Sequence, residues 1–208
     1  MADDCFVTVR PPLDAGERKT FVVLGAPRGG TSMIAGSLRL AGIFMGEGLG
    51  GQHEDPAFKR EAVEDKLAAI ADRNRRFHTW GWKLPRTVHF FDEIKHALVN
   101  PHLIVVYRNT LAVARSSARR DRRPLDLHLI KVATRHYSKV FDIIDGNDMP
   151  TAIVAYEAAV AQPRLYAERL VKYCGVEPTG EMLEEISAFV GGKPGYTEIP
   201  GEVLPRRA

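Results

Sequence analysis

Phe21-Val-Val-Leu-Gly25-Ala-Pro-Arg28-Gly29-Gly30-Thr31-Ser32 constrains this chain more than any other stretch. Four apolar residues run into a glycine. The loop that follows holds a proline, an arginine and two more glycines, and then Met33, Ile34, Leu38, Leu40 and Ala41 recur at helical spacing. The pattern predicts strand, tight loop, helix. Such a loop turns backbone N–H groups inward at a helix N-terminus, where the dipole favours negative charge, so the stretch predicts a phosphate site.

The spacing of Gly25 and Gly30 is that of the Walker A pattern, G-x-x-x-x-G-K-[ST]. Thr31 stands where the lysine belongs, Ser32 takes the hydroxyl position, and a cation appears three residues earlier at Arg28. In an NTPase or kinase that lysine works on the β/γ-phosphates and the hydroxyl on Mg²⁺. Its loss argues for a nucleotide whose reacting end differs from that of ATP. Tight packing alone would explain the glycines, but not the cation and tandem hydroxyls in the same loop.

The remaining chain alternates strands with helices. Strands are expected at 21–24, 79–83, 102–107 and 150–155. Helices are expected at 31–41, 56–73, 88–98, 110–117, 125–144, 163–174 and 179–190. This order predicts a three-layer, P-loop-like α/β fold with a central parallel sheet flanked by helices. The 208 residues form one expected domain, with 1–19 an edge segment or loose extension and 196–208 a C-terminal tail. The 29 basic and 26 acidic residues leave a net charge of +3, which suits an anionic small molecule and does not demand nucleic acid. Cys5 and Cys174 make no disulfide framework, and no apolar run is long enough for a membrane span. The N-terminus is not a signal sequence, so the expected location is the cytoplasm.

Arg108 directly follows the 102–107 strand, and Ser116 lies eight residues on, in the next helix. Ligands of open parallel sheets bind at the carboxyl ends of strands, which puts Arg108 in the crevice of the glycine loop. Its planar fork suits phosphate oxygens, although a structural ion pair is the plainer role. Arg115, Arg119, Arg120, Arg122 and Arg123 form a basic cluster, either a solvated face or a surface for an anionic acceptor. His128 and His136 are eight apart and not at ligand spacing, and no Cys/His/Asp cluster predicts a metal.

Together these motifs resemble those of the PAPS-dependent sulfotransferases, soluble and bacterial in style; PAPS is 3′-phosphoadenosine 5′-phosphosulfate. Pro27-Arg28-Gly29-Gly30-Thr31-Ser32 is similar to the family's 5′-phosphosulfate loop, Pro-Lys/Arg-Ser/Gly-Gly-Thr-Ser/Thr. Arg108 to Ser116 resembles the 3′-phosphate motif, Arg-x-Pro-x-x-x-Ala-x-Ser, with Thr110 in place of the usual proline. Trp80-Gly-Trp-Lys83-Leu-Pro85-Arg86 is similar to the second-strand motif, whose lysine reaches the transferred sulfuryl group. The resemblance covers about residues 20 to 195.

It implies PAPS as donor, held by Pro27, Arg28, Gly29, Gly30, Thr31, Ser32, Arg108 and Ser116. Tyr156 would lie near the adenosine and Lys193 near the 3′-phosphate. Glu157, by its place just past a strand, is the only possible Walker-B-like carboxylate and reads instead as helix-start charge. Arg28 and Lys83 would stabilise charge on the moving group without a metal. Where animal cytosolic members have a histidine base this chain has Pro85, so the base must come from elsewhere. Glu54 is the first candidate and His53 the second, in a segment matching the Gly-x-x-Glu type of other members. Helix capping would explain Glu54 and Asp55 as well.

The implied activity is transfer of a sulfuryl group from PAPS to a hydroxyl or amine of a small-molecule, lipid or glycan acceptor, releasing PAP. The acceptor pocket would be built by loops 45–55, 76–90 and 119–128, in a monomer or a homodimer. The alternatives are a P-loop small-molecule kinase and a catalytically inert nucleotide-binding protein.

Overall fold

The computed structural model describes residues 4–12, 18–192, 196 and 199. Five strands, β1 (Phe6–Arg10), β2 (Lys19–Leu24), β3 (Thr79–Lys83), β4 (Pro101–Tyr107) and β5 (Thr151–Ala155), form one sheet. Their order is β1-β5-β4-β2-β3. β2 to β5 run parallel, and β1 pairs antiparallel with β5. The sheet is therefore parallel in four strands, with the N-terminal segment as an antiparallel edge. On that edge Phe6 is buried, while Val7 and Val9 face outward.

The helices are α1 (Thr31–Leu40), α2 (Val63–Arg76), α3 (Phe91–Ile94), α4 (Thr110–Arg120), α5 (Leu127–Asp145), α6 (Tyr156–Ala161), α7 (Pro163–Cys174) and α8 (Gly180–Gly191). Alternate strand residues supply two cores. Phe21, Val23, Ile104, Val106 and Val154 pack under α1, α7 and α8. Val22, Leu24, Leu103, Val105, Trp80 and Trp82 pack with α2, α3 and α5. Burial on both faces explains why the central strands read as continuous apolar runs rather than alternating ones. No described helix is long and apolar enough to cross a membrane.

Three expected elements differ. The 56–73 helix divides into a 3₁₀ turn, Pro56–Lys59, and α2, with extended backbone at Arg60 and Ala62 between them. Phe58 stacks on Trp82 at 4.4 Å, and Asp55 meets Arg73 of α2 at 2.6 Å. The first contact draws the turn onto β3 and the second ties its start to α2, so the chain folds back between them. The 88–98 helix is replaced by 3₁₀ turns at Pro85–His89 and Lys95–Ala97 on either side of α3. Burial of Phe91 and Ile94 in the second core sets that path. The third difference is α6, which precedes α7 by one residue. Gln162 leaves the helical region (φ −131°, ψ 61°) because Pro163 disfavours it there.

The Asp55–Arg73 pair anchors the loop that carries His53 and Glu54. Both side chains are at least nine-tenths buried, and the guanidinium lies 5.1–5.7 Å from the rings of Phe58, Trp80 and Phe44. Asp55 also accepts the Ala57 N–H. It therefore caps the following turn, leaving Glu54 free of that task.

Candidate active site

The carboxyl ends of β2, β3, β4 and β5 open into a cleft of about 550 Å³. Strand order reverses at β2, which is flanked by β3 on one side and β4 on the other. That is the place where open α/β sheets leave a crevice.

The glycine loop forms one wall. Gly29 N–H bonds to Ala26 O at 2.8 Å, and Gly30 caps α1 in the left-handed region at φ 97°. No side chain caps this helix and no acid stands in its first turn, so its N-terminal N–H groups are left for an anion. Gly30 is also sterically required, since a Cβ there would lie 2.3 Å from the Tyr156 ring. Gly30→Ala is expected to cost about 2 kcal/mol through strain and clash. Thermal unfolding would show the midpoint falling by roughly 4–8 °C. An unchanged midpoint would mean that Tyr156 moves away freely.

Arg28 holds a left-handed backbone at φ 66°, an uncommon conformation of a kind that concentrates at functional sites. Its Nε donates to Ser116 Oγ at 3.2 Å, and its carbonyl accepts from Arg108 Nη1 at 3.1 Å. The tertiary structure thus brings Arg28, Arg108 and Ser116 together. Arg108 lies over the Tyr156 ring at 4.3 Å, with Glu157 Oε1 4.0 Å from its Nε. The Arg108 backbone N–H donates to Tyr137 Oη at 2.9 Å. Glu157 stands in the first turn of α6 and accepts the Asn109 N–H.

The other end of the cleft holds Lys83 and Glu54. The Lys83 side chain is 2% exposed, and its Nζ lies 3.3 Å from Glu54 Oε1. Glu54 Oε2 lies 2.9 Å from Lys59 Nζ. Burial pushes the Lys83 ammonium down to about 8, with Glu54 opposing. Burial raises the Glu54 carboxyl, but Lys59 and Lys83 together more than offset this and hold it below its ordinary value. Ser32 Oγ, on the floor between the two ends, donates to Gln52 O at 3.2 Å.

His53 is placed differently from its neighbour. A left-handed backbone (φ 53°) turns it out of the cleft. Its Nδ1 sits 3.1 Å from Arg39 Nη1 and so accepts; its Nε2 then carries the proton toward the Tyr196 carbonyl. Burial lowers its pKa. Lys193 lies outside the described residues.

Two residues at the site, Tyr137 and Tyr196, are not singled out by the sequence. Tyr137, beneath the cleft wall, sits within the apolar spacing of α5, and burial lifts its hydroxyl to about 12. It braces Arg108 from beneath. Tyr196 meets Tyr156 hydroxyl to hydroxyl at 3.1 Å. Arg119 and Arg120 line the cleft at the end of α4, so part of the basic cluster faces the site. The helix running on to Arg120, past the expected end near Ser117, carries them there.

No protein-family model and no curated protein matches this sequence. Among solved structures, the sulfotransferase domain from the Synechococcus PCC 7002 olefin synthase matches with a TM-score of 0.57 at 15% identity. The match covers 90% of this chain and 85% of that one. Retinol dehydratase in complex with androsterone and PAP matches at 0.48 and 12% identity, over 84% of this chain and 64% of that one. Its complex with retinol and PAP matches at 0.46 and 12% identity, over 93% and 74%. This chain has the fold of a sulfotransferase domain.

Proposed function

We propose that this protein is a sulfotransferase that moves a sulfuryl group from PAPS to a hydroxyl or amine acceptor. The observation that carries the reading is the two-ended cleft. One end joins Arg28, Arg108 and Ser116 beside an uncapped helix N-terminus. The other presents a buried lysine against a carboxylate. The first end suits a nucleotide bearing a 3′-phosphate, and the second suits a transfer of charge and a proton.

Glu54 takes the acceptor's proton as the acceptor oxygen or nitrogen bonds to sulfur. The bond from sulfur to the bridging phosphate oxygen breaks, and PAP leaves with the electron pair. Sulfuryl transfer resembles phosphoryl transfer, with charge on the oxygens of the moving group and on the bridge. Lys83 and the loop N–H groups meet that charge as a cation and as fixed dipoles. Glu54 is a weak base while two lysines hold it. Negative charge on a bound donor would draw on the same lysine, weakening its hold on Glu54 and raising the basicity of that carboxylate.

The kinase alternative lacks support at two positions. Thr31 replaces the Walker lysine, and Arg108 stands where a metal-holding carboxylate would follow the strand. Thermal unfolding with PAP, and separately with ATP and Mg²⁺, tests the choice. PAP at a hundred times its dissociation constant is expected to stabilise by about 2.7 kcal/mol. Stabilisation by ATP with Mg²⁺ and none by PAP would overturn the sulfotransferase reading.

A further inference from the structure

A second cavity of about 500 Å³ adjoins the cleft, and Glu54 lines both. Extended backbone at Leu84 (φ −152°, ψ 119°) makes successive side chains point to opposite sides. Lys83 and Pro85 face the first cleft; Leu84 and Arg86 face the second. One short stretch after β3 is thus the partition between two spaces that meet at a carboxylate.

The second cavity has an apolar middle and a cationic side. Phe58, Val63, Leu84 and Phe90 supply the apolar surface. Glu54 is engaged by Lys59 and Lys83, and Arg60 lies 3.7 Å from Asp65. Lys66 is different. It is 3% exposed, donates to the carbonyls of Glu61 (2.9 Å) and Ala62 (3.2 Å), and lies 4.8 Å from the Phe90 ring centroid. Among the described residues neither Lys66 nor Arg86 has a carboxylate at ion-pair distance. The remaining carboxylates of the wall, Glu61 and Glu93, are exposed. A buried ammonium held by two neutral carbonyls and a ring face, with no counter-charge, is an arrangement that an anion would complete.

We infer that this second cavity is the acceptor site and that the acceptor is an amphiphilic hydroxy acid. Its hydroxyl meets Glu54, its apolar body lies against Phe58, Leu84 and Phe90, and its carboxylate meets Lys66 and Arg86. The inference rests on the sulfotransferase reading, which places Glu54 as the group that takes the acceptor's proton. A volume of this size accommodates a small organic molecule of mixed polarity.

Calorimetric titration of the intact protein tests it in two stages. PAP is titrated first; absence of binding fails the sulfotransferase reading, and the acceptor inference falls with it. The PAP-saturated protein is then titrated with ω-hydroxydodecanoate and with its methyl ester. The acid is expected to bind at least tenfold more tightly than the ester, the gain of one charge-assisted contact. Arg86→Ala and Lys66→Met are each expected to remove about tenfold of the acid's affinity and leave the ester's unchanged. Arg86 is exposed, so its variant folds even if the buried Lys66 tolerates no change. Normal PAP binding with acid and ester indistinguishable, or with no binding of the acid, overturns the acceptor inference alone.

Discussion

Lys83→Met is expected to slow sulfuryl transfer by about 10²–10³-fold while PAP affinity stays within about threefold. The magnitude is that of removing one donor aimed at developing charge. PAP lacks the sulfuryl group, so loss of a cation directed at that group touches the transition state and not the product. Folding is expected to survive. The Lys83 side chain is 2% exposed, and removing one partner of a buried ion pair is severe only where the other charge is left uncompensated. Glu54 keeps Lys59 at 2.9 Å. A loss of PAP binding equal to the loss of rate would show that Lys83 supports the nucleotide instead.

The same residue predicts a pH profile. Burial lowers Lys83 to about 8 in the folded protein from an ordinary 10.5. Between those values the unfolded chain binds more protons, so the contribution of this group to stability rises with pH across that window. The cation itself is lost across the same window. The transfer rate with subsaturating donor is therefore expected to fall as pH rises through about 8, while stability does not. Lys83→Met should abolish that limb of the profile. A limb that persists in the variant would assign it to another group.

Arg108→Ala is expected to weaken PAP binding by about a hundredfold or more. Two charge-assisted hydrogen bonds to a phosphate contribute about 3 kcal/mol together, and each 1.4 kcal/mol is a factor of ten. AMP, which lacks the 3′-phosphate, is expected to bind the variant within about threefold of the parent. This comparison separates recognition from architecture, because Arg108 also donates to the Arg28 carbonyl. Equal losses for PAP and AMP would make Arg108 a brace for the loop. Arg108→Lys is expected to restore only part of the PAP affinity, because an ammonium cannot reproduce the planar fork. Both titrations are by calorimetry at one fixed salt concentration.

Much of the architecture and one end of the site were legible before folding. The strand of Phe21 to Leu24, the glycine loop and α1 are contiguous, so local propensity and spacing define them together. Arg108 and Ser116 are eight residues apart across a strand end and a helix, a distance over which secondary structure dictates geometry. α7 begins at Pro163 and ends at Cys174, as its starting proline and closing Gly175 indicate. The fold class follows from the alternation of elements, which leaves few ways to bury both sheet faces.

The other end needed contacts between segments far apart in the chain. Glu54 and His53 are adjacent in sequence and are the first and second candidates there, yet one lines the cleft and the other turns into Arg39 and Tyr196. His53 itself is left-handed, with Arg39 and the Tyr196 carbonyl on its ring, and the Asp55–Arg73 pair lies buried on the other side of Glu54. The broken helices at 56–76 and 85–97 have the same origin, because stacking of Phe58 on Trp82 and burial of Phe91 outweigh helical spacing. Tyr137 illustrates the limit plainly. Its position in α5 marks it only as a core residue, and its hydroxyl reaches Arg108 from 29 positions away. Short-range patterning thus dictated the glycine loop and the layer order. Long-range packing, which no local window contains, selected the carboxylate that faces the lysine and divided the space beyond it.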